Sequence, residues 1–380
     1  MSGANPTVLA TQSGSGRWQK LVQAMVVPLL AVFTGLVAGA VVIYLSGSSP
    51  LLAYRGLWEG AFGSPRALSE TAVWATPYIF VGLALAISFQ GGLFNLGADG
   101  QLALGALLAA AVGYLLPGVL HAEIPAAIHL PLTLLAGALG GMIWGAIPGW
   151  LKARTGASEV ITTIMFNYIA LLFVAYMLNG PMKDPSPTNM LARTPQIAES
   201  ARMAPLFAGY RVHWGLIMAL VTAVVVWFLM GRTTLGFEIR TTGLNREAAE
   251  YAGINNRRII VLTLAISGML AGLAGAVEVT GLYYRHDVSY SAGIGFEAIA
   301  IALLGRNQPL GVVLAAFLFA AMRSGASRMQ FVAQIPVDII SVVQAFILLF
   351  VAADVIIRYI YHIRAPEENP SPTRGEAKAL

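Results

Sequence analysis

The chain has 380 residues, 57% of them hydrophobic and only 11% charged, with a net charge of +5. A soluble domain carries about 25% charged residues to keep its surface wet, so lipid must cover much of this exterior. The absence of cysteine excludes disulfides, thiolate catalysis and cysteine metal sites, and the modest positive charge reads as loop arginines at a membrane face, not as a nucleic-acid patch.

Residues 1–20 read as a polar leader. Arg17 and Lys20 precede an apolar run, but 21–45 is far longer than a signal-peptide core of about 7–15 residues. It therefore reads as a first span, with the leader left in the cytoplasm. A spanning helix needs about 20 mostly apolar residues. Segments 21–45, 71–89, 102–120, 128–151, 160–178 and 214–230 contain no Asp, Glu, Lys or Arg. Segment 259–284 carries Glu278, 288–304 carries Glu297, 309–322 is short, and 335–353 carries Asp338. The pattern predicts an all-α polytopic membrane protein with about ten transmembrane helices over 21–358. With the N-terminus inside, the inner segments hold 14 of the 23 basic residues, which places both termini in the cytoplasm. The tail, 359–380, contains Pro366, Pro370, Pro372 and Gly375 and reads as disordered.

The connections differ in character. The outer loop 179–213 begins with Asn179, Pro181, Asp184, Pro185, Pro187 and Asn189, a set that favours turns. The inner loop 231–258 is polar and carries helix signals. Asn245 is an N-cap residue, Arg246–Ala252 is long enough for two turns, Gly253 is a C-terminal stop, and Asn255–Asn256 opens the next span. The result is a short cytoplasmic helix with Ala248 and Ala249 expected on its surface, small enough for close docking of another protein. An ordinary amphipathic connector is the plainer reading of the same residues.

Inside the spans, Gly137, Gly141, Gly145 and Gly149 recur every four residues, and Gly35/Gly39 and Gly268/Gly272 repeat the spacing. Such spacing lets helix backbones approach closely. The stretch Gly91-Gly-Leu-Phe-Asn-Leu-Gly-Ala-Asp-Gly-Gln101 interrupts two spans. It reads either as a turn capped by Asp99 or Asn95, or as a re-entrant segment beside a translocation path, with Asn95 and Gln101 as hydrogen-bonding groups. A second Gly-rich stretch, 293–311, occupies a roughly corresponding place in the other half, hinting at a duplicated transporter core. Asn167, Glu278, Glu297, Asp338 and Gln344 are polar groups within spans, where they face a bundle interior or a cavity. Phe94, Tyr168 and Phe296 offer an aromatic face for a ring-shaped solute, or equally pack in core or lipid.

No catalytic or metal-ligating set emerges. There is no HExxH or GxSxG pattern, and none of the four lysines (Lys20, Lys152, Lys183, Lys378) follows a glycine, so no P-loop is present. Any ATP hydrolysis must come from a partner. A proton-coupled carrier using Glu278 as its titrating group is the rival transport mechanism, but it needs no docking helix.

Three separated motifs carry a resemblance. The loop Ile239-Arg-Thr-Thr-Gly-Leu-Asn-Arg-Glu-Ala-Ala-Glu-Tyr-Ala-Gly-Ile254 resembles the coupling region of ABC-importer permeases of the branched-chain amino acid and simple-sugar group. Residues Gly91–Gln101 are similar to the GG-x-FN-x-G-x-[ED]-GQ signature of its nucleoside-type members, with Asp99 where Glu is more usual. Residues Gly295-Phe-Glu-Ala-Ile-Ala-Ile-Ala-Leu-Leu-Gly305 resemble their second-half motif.

The resemblance implies a type II-like permease with short broken helices in each half, in a bacterial inner membrane. Gly243, Asn245, Arg246, Ala248, Ala249 and Gly253 would form the element gripped by an ATP-binding subunit. A second, related permease chain and an extracytoplasmic substrate-binding lipoprotein are implied partners. ATP and Mg would bind the ATPase, with no cofactor on this chain. The implied solute is a nucleoside, met by Phe94, Asn95, Gln101, Asn167, Tyr168, Glu278, Phe296 and Glu297, with ribose or galactose as the alternative.

Overall fold

The computed structural model describes residues 15–121, 124–186, 191–287, 293–336, 338–353, 356–357 and 360–362. Much of the expected leader and nearly all of the tail lie outside these residues. Contacts divide the chain into two compact units, Met1–Val42 with Ser341–Leu380, and Ile43–Ile340.

In the first unit, α1 (Ser15–Leu45) meets α13 (Asp338–Ala352). Gly35 makes room for the approach, since a Cβ there would lie 2.8 Å from the Ile347 Cα. Thr34 and Tyr361 share a hydroxyl hydrogen bond of 3.0 Å.

The second unit contains α2 (Pro50–Phe62), α3 (Pro65–Gln90), α4 (Ala98–Leu120), α5 (Ala126–Thr155), α6 (Glu159–Asn179), α7 (Gly215–Arg232), α8 (Thr234–Leu244), α9 (Arg246–Tyr251), α10 (Asn256–Glu278), α11 (Ile294–Leu304) and α12 (Pro309–Ala333). The described residues form an all-α polytopic membrane protein. Eight helices are long and apolar enough to cross a membrane, and the shorter apolar helices Ile294–Leu304 and Asp338–Val351 fall in two further expected segments. At 1.5 Å per residue, the 11 residues of α11 reach about 16 Å, roughly half of a hydrocarbon core. Conversely, α12 does not stop at residue 322 but runs on to Ala333 through Arg323.

Glycine spacing explains the packing centre. The α5 ladder lies on α10: a Cβ on Gly145 would sit 3.0 Å from Gly268 Cα, and one on Gly149 would sit 3.1 Å from Val261 Cα. Gly272 touches two helices at once, because a Cβ there would overlap backbone of Gly137 and Gly141, while one on Gly105 of α4 would overlap Gly272. Three backbones therefore converge where a side chain has no space. Around this centre, α3 and α10 are largely buried, whereas α6 and α7 expose most of their apolar surface, as lipid-facing helices do.

Beyond α10 the helix widens into a π-helical turn, Val279–Tyr283, in which Tyr284 N donates to Val279 O at 2.9 Å. The outer loop docks here. Met203 N donates to Thr280 O, Ile197 N to Tyr284 O and Thr194 N to His286 O, at 2.8, 2.9 and 2.9 Å.

Candidate functional site

The break between α3 and α4 begins as a helix stop. Gly92 adopts φ +66°, and Leu93 N donates to Ser88 O at 2.9 Å. Chain then enters the protein interior. Asn95, fully buried, donates through Nδ2 to Gln101 Oε1 and to Ser267 Oγ of α10, both at 2.9 Å. Its Oδ1 accepts from Gly97 N at 3.0 Å and from Gln101 Nε2 at 3.2 Å. Leu96 N donates to Thr163 Oγ1 of α6 at 3.1 Å. The break is thus neither a surface turn nor a solvated loop; its polar groups are satisfied by protein, as irregular backbone at membrane depth requires.

Two side chains then join elements far apart in sequence. Asn167 of α6 accepts from Gly100 N through Oδ1. Asp99, 4% exposed, accepts from Gly295 N in the first turn of α11 at 2.6 Å. Gly295 is required for that approach, because a Cβ would lie 2.8 Å from Asp99 Cγ. The two Gly-rich motifs therefore meet at the start of α11, where the Asp99 carboxyl group accepts a helix-terminal amide that has no partner within the helix. Asp99 does not cap its own helix: Gly97 holds the N-cap position of α4.

Beside this junction lies a cavity of about 330 Å³, lined among others by Asp99, Asn167, Tyr168, His286, Asp287 and Phe296. The volume is at the low end for small-molecule sites. Tyr168 and Phe296 are 63% and 53% exposed, so both rings are available on this face. Burial pushes the His286 imidazole down to about 4, which keeps it neutral near pH 7.

On another side of the α11 start is a charged cluster that sequence reasoning missed in part. Tyr78 Oη donates to Glu297 Oε2, and Arg323 of α12 lies 3.5 Å from Glu297 Oε1. The Arg323 guanidinium sits 5.2 Å from the Trp74 ring centroid, and Trp74 stacks on Tyr78 at 6.4 Å. Arg323 is 34% and Glu297 21% exposed at the side chain, so the pair is reachable. The signal was available: Arg323 is a cation inside an apolar run, which belongs to a cavity or bundle interior far more often than to lipid.

The expected residues therefore sort into groups. Asn167, Tyr168 and Phe296 share one cavity, whereas Glu297 is outside its lining and belongs to the cluster with Tyr78 and Arg323. Asn95 and Gln101 do not reach the cavity; their amides are engaged with each other and hold the break. Phe94 is 53% exposed and packs on Phe89 at 5.3 Å, away from the cavity lining. Glu278 is buried, within electrostatic reach of Tyr78 and Tyr283.

At the far end of the break lies the inner loop. Asn245 caps α9, its Oδ1 accepting from Ala248 N at 3.0 Å, and Gly253 takes φ +84° beyond it. Asn256 Nδ2 ties the helix back to Arg246 O at 2.8 Å, and Asn255 caps α10. One expectation needs correction. Ala248 is exposed, but Ala249 is fully buried, because a two-turn helix lying on the protein must turn one face inward. The exposed apolar side chains here are instead Tyr251, the last residue of α9, at 97% exposure and Leu244, the last residue of α8, at 88%. Gly243 fits against the break itself: Gly92 and Gly243 are so close that a Cβ on Gly92 would lie 3.0 Å from Gly243 Cα.

Comparison with known proteins places this geometry. The family model described as the permease component of branched-chain amino acid transport systems matches residues 67–352, which contain the break, α9 and α11. The chain is 42% identical to the guanosine ABC transporter permease protein NupP of Bacillus subtilis, over 90% of this chain and 97% of that one. It is 38% identical to the nucleoside ABC transporter permease protein NupB of Lactococcus lactis, over 90% and 93%. It is 33% identical to the glucose ABC transporter permease protein TsgB13 of Haloferax volcanii, over 85% and 86%. With three quarters of its length matched by that model, and with two membrane-buried half-motifs meeting at Asp99 and Gly295, the chain belongs to the family of branched-chain amino acid transport system permease components.

Proposed function

We propose that this chain is the permease subunit of an ATP-driven ABC importer that carries nucleosides across a bacterial cytoplasmic membrane. The observation that carries the reading is identity of 42% and 38%, over 90% of the chain, to permease proteins of guanosine and nucleoside transporters. Identity to the glucose permease protein is lower, at 33%.

In this reading the permease domain spans 21–358, with the leader 1–20 and the tail 359–380 in the cytoplasm. The cavity at Asn167, Tyr168 and Phe296 and the Glu297–Arg323 pair line the solute path. Two aromatic rings present faces to a base, and the charged pair and the Asn167 amide present hydrogen-bonding groups to hydroxyls. An extracytoplasmic lipoprotein delivers solute to the outer surface, and a second permease chain, related but different, closes the exposed side of the path. ATP and Mg bind a partner ATPase, since this sequence has no P-loop, and this chain binds no cofactor. The proton-coupled alternative loses support because the relatives above are named ABC permease proteins.

The ATPase would grip α9. Ala248 and Tyr251 are exposed on it, Leu244 is exposed at the adjoining end of α8, and Gly243 of α8 rests on the Gly91–Gly92 stop, so a push on α9 reaches the break through that end of α8. Ala248→Glu and Tyr251→Ala are each expected to abolish uptake at unchanged membrane abundance. Each should also weaken retention of the ATP-binding subunit by roughly 30-fold or more, the loss of an interface hot spot. Normal retention and uptake in both variants would remove α9 from the coupling role. Ala249→Glu is a different experiment, because it buries a charge and should lower abundance instead.

Uptake of labelled guanosine by cells with and without the chain tests the substrate class, with unlabelled glucose, ribose and galactose as competitors. Loss of guanosine uptake without sugar competition is the expected result. Unchanged guanosine uptake with loss of sugar uptake would move the chain to sugars.

A further inference from the structure

Helix α5 presents one exposed stripe along its length. Ile128, Leu132, Leu135, Leu139, Ile143 and Trp150 follow helical spacing, and each is at least 40% exposed. From Ile128 to Trp150 the helix rises about 33 Å, close to the thickness of a hydrocarbon core of about 30 Å. Trp150 therefore stands at the level where indoles gather in the membrane interface. One turn further on, Arg154 lies at headgroup level, its guanidinium 5.9 Å from the Trp150 ring centroid.

At that level α5 and α10 enclose a cleft of about 440 Å³. Its lining includes Trp150, Arg154, Arg257, Arg258, Val261 and Leu262, and contains no carboxylate. Among the described residues none of the three arginines is in an ion pair, although nearby Lys152 is matched by Glu159 at 2.8 Å. Three exposed cations thus converge over an apolar floor, and that floor continues into the lipid-facing stripe. An ATP-binding subunit would also meet basic residues on this side. The indole and the apolar floor, however, match an amphiphile with a long hydrocarbon tail better than a water-soluble protein surface.

We infer that the Arg154–Arg257–Arg258 cleft is a binding site for an anionic phospholipid of the cytoplasmic leaflet. The phosphate headgroup is held by the guanidinium groups, which match it as bidentate donors. The acyl chains run along the α5 stripe. Because Arg257 and Arg258 open the helix that directly follows α9, the lipid grips the base of the coupling element. The leaflet assignment rests on the cytoplasmic placement of α9 in the proposed function.

The test uses the full chain in its assembled transporter, purified in mild detergent and exposed to phosphatidylglycerol or phosphatidylcholine, with retained lipid read by native mass spectrometry. Wild type is expected to retain phosphatidylglycerol and not phosphatidylcholine. Replacing all three arginines by glutamine should lower retention about 100-fold, from roughly fivefold per basic residue near an anionic surface. Replacing them by lysine should keep most of it, which separates loss of charge from loss of fold. Equal retention in the glutamine variant overturns the site. Displacement of the lipid by inorganic phosphate would assign a free-anion site instead and overturn the lipid. Unchanged lipid with loss of the ATP-binding subunit would make the cleft a protein contact and also overturn it. Arg257→Cys, in a chain that has no cysteine of its own, is expected to react with a membrane-impermeant thiol reagent only after the cells are permeabilised, and labelling of intact cells would overturn the cytoplasmic leaflet. Lipid retention does not depend on which solute is carried, so failure of the nucleoside reading leaves this result standing.

Discussion

Gly272→Val is expected to reduce the yield of folded, detergent-stable protein to near background. A side chain at this position would overlap backbone atoms of Gly137 and Gly141 on α5, and Gly105 of α4 presses on the same point. Overpacking a core typically costs about 1–3 kcal/mol when neighbouring side chains can shift. Here the neighbours are main chains on two helices, and moving either one opens the contact along a whole ladder, so the cost should reach or exceed the top of that range. Gly118→Val is the matched control, since a Cβ there meets nothing within 4 Å. Thermal unfolding and monodispersity in detergent provide the readout. A Gly272→Val protein with wild-type stability would show that α4, α5 and α10 do not meet as closely as described.

The second large effect concerns the Glu297–Arg323 pair. Glu297→Gln and Arg323→Gln are each expected to lower nucleoside uptake by about 10- to 100-fold, the range set by roughly 1.5–3 kcal/mol for hydrogen bonds to a charged group. Loss of uptake alone is ambiguous, because removing one partner also leaves the other charge uncompensated at membrane depth. The double variant Glu297→Gln/Arg323→Gln decides between the two causes. If the pair serves only to neutralise itself, the double variant recovers uptake. If the two groups meet solute, it stays as poor as either single variant while membrane abundance is normal. The second outcome is expected, because both side chains are partly accessible and the 3.5 Å separation leaves donors and acceptors for a third molecule. Recovery in the double variant would remove Arg323 from the path.

The sequence made most of the long spans legible because six of them are apolar runs without a charged residue, and it made the caps of α9 and α10 legible because Asn245, Gly253 and Asn255 act on backbone within a few residues. Where those conditions failed, so did the reading. Helix α2 escaped notice because Arg55 and Glu59, an i,i+4 ion pair at 2.8 Å, interrupt its apolar pattern. Arg323 ended the apparent ninth span at residue 322, short of Ala333, for the same reason. The half-length of α11 was hidden because residues 294–304 are as apolar as a full span and its start is set by Gly293, at φ +91°.

For the site, residue type pointed to Asn167, Tyr168, Phe296 and Glu297, but which group faces a cavity is decided by tertiary packing. Asn95 and Gln101 were sound choices as buried amides, yet they spend their hydrogen-bonding capacity on one another, on Ser267 and on Gly97 N. Asp99 and Gly295 are 196 positions apart, and no local pattern joins them.

The π-helical turn at Val279–Tyr283 is a place where chain length has been absorbed. Such a turn holds one residue more than an ordinary helical turn, and a helix rotates about 100° for each residue. A residue taken up by widening the turn leaves the chain beyond it in the phase it would have had without that residue. Deleting one residue here would therefore let the turn close to α geometry, with the carbonyl of Val279 bonded four positions on instead of five, and the carbonyls beyond would keep their approach to the amides of Ile197 and Thr194. The same deletion inside α10 has no wide turn to close and would swing Tyr284, His286 and the cavity wall at Asp287 by about 100°. Length is thus most forgiving at this turn and least forgiving in the helix that leads into it.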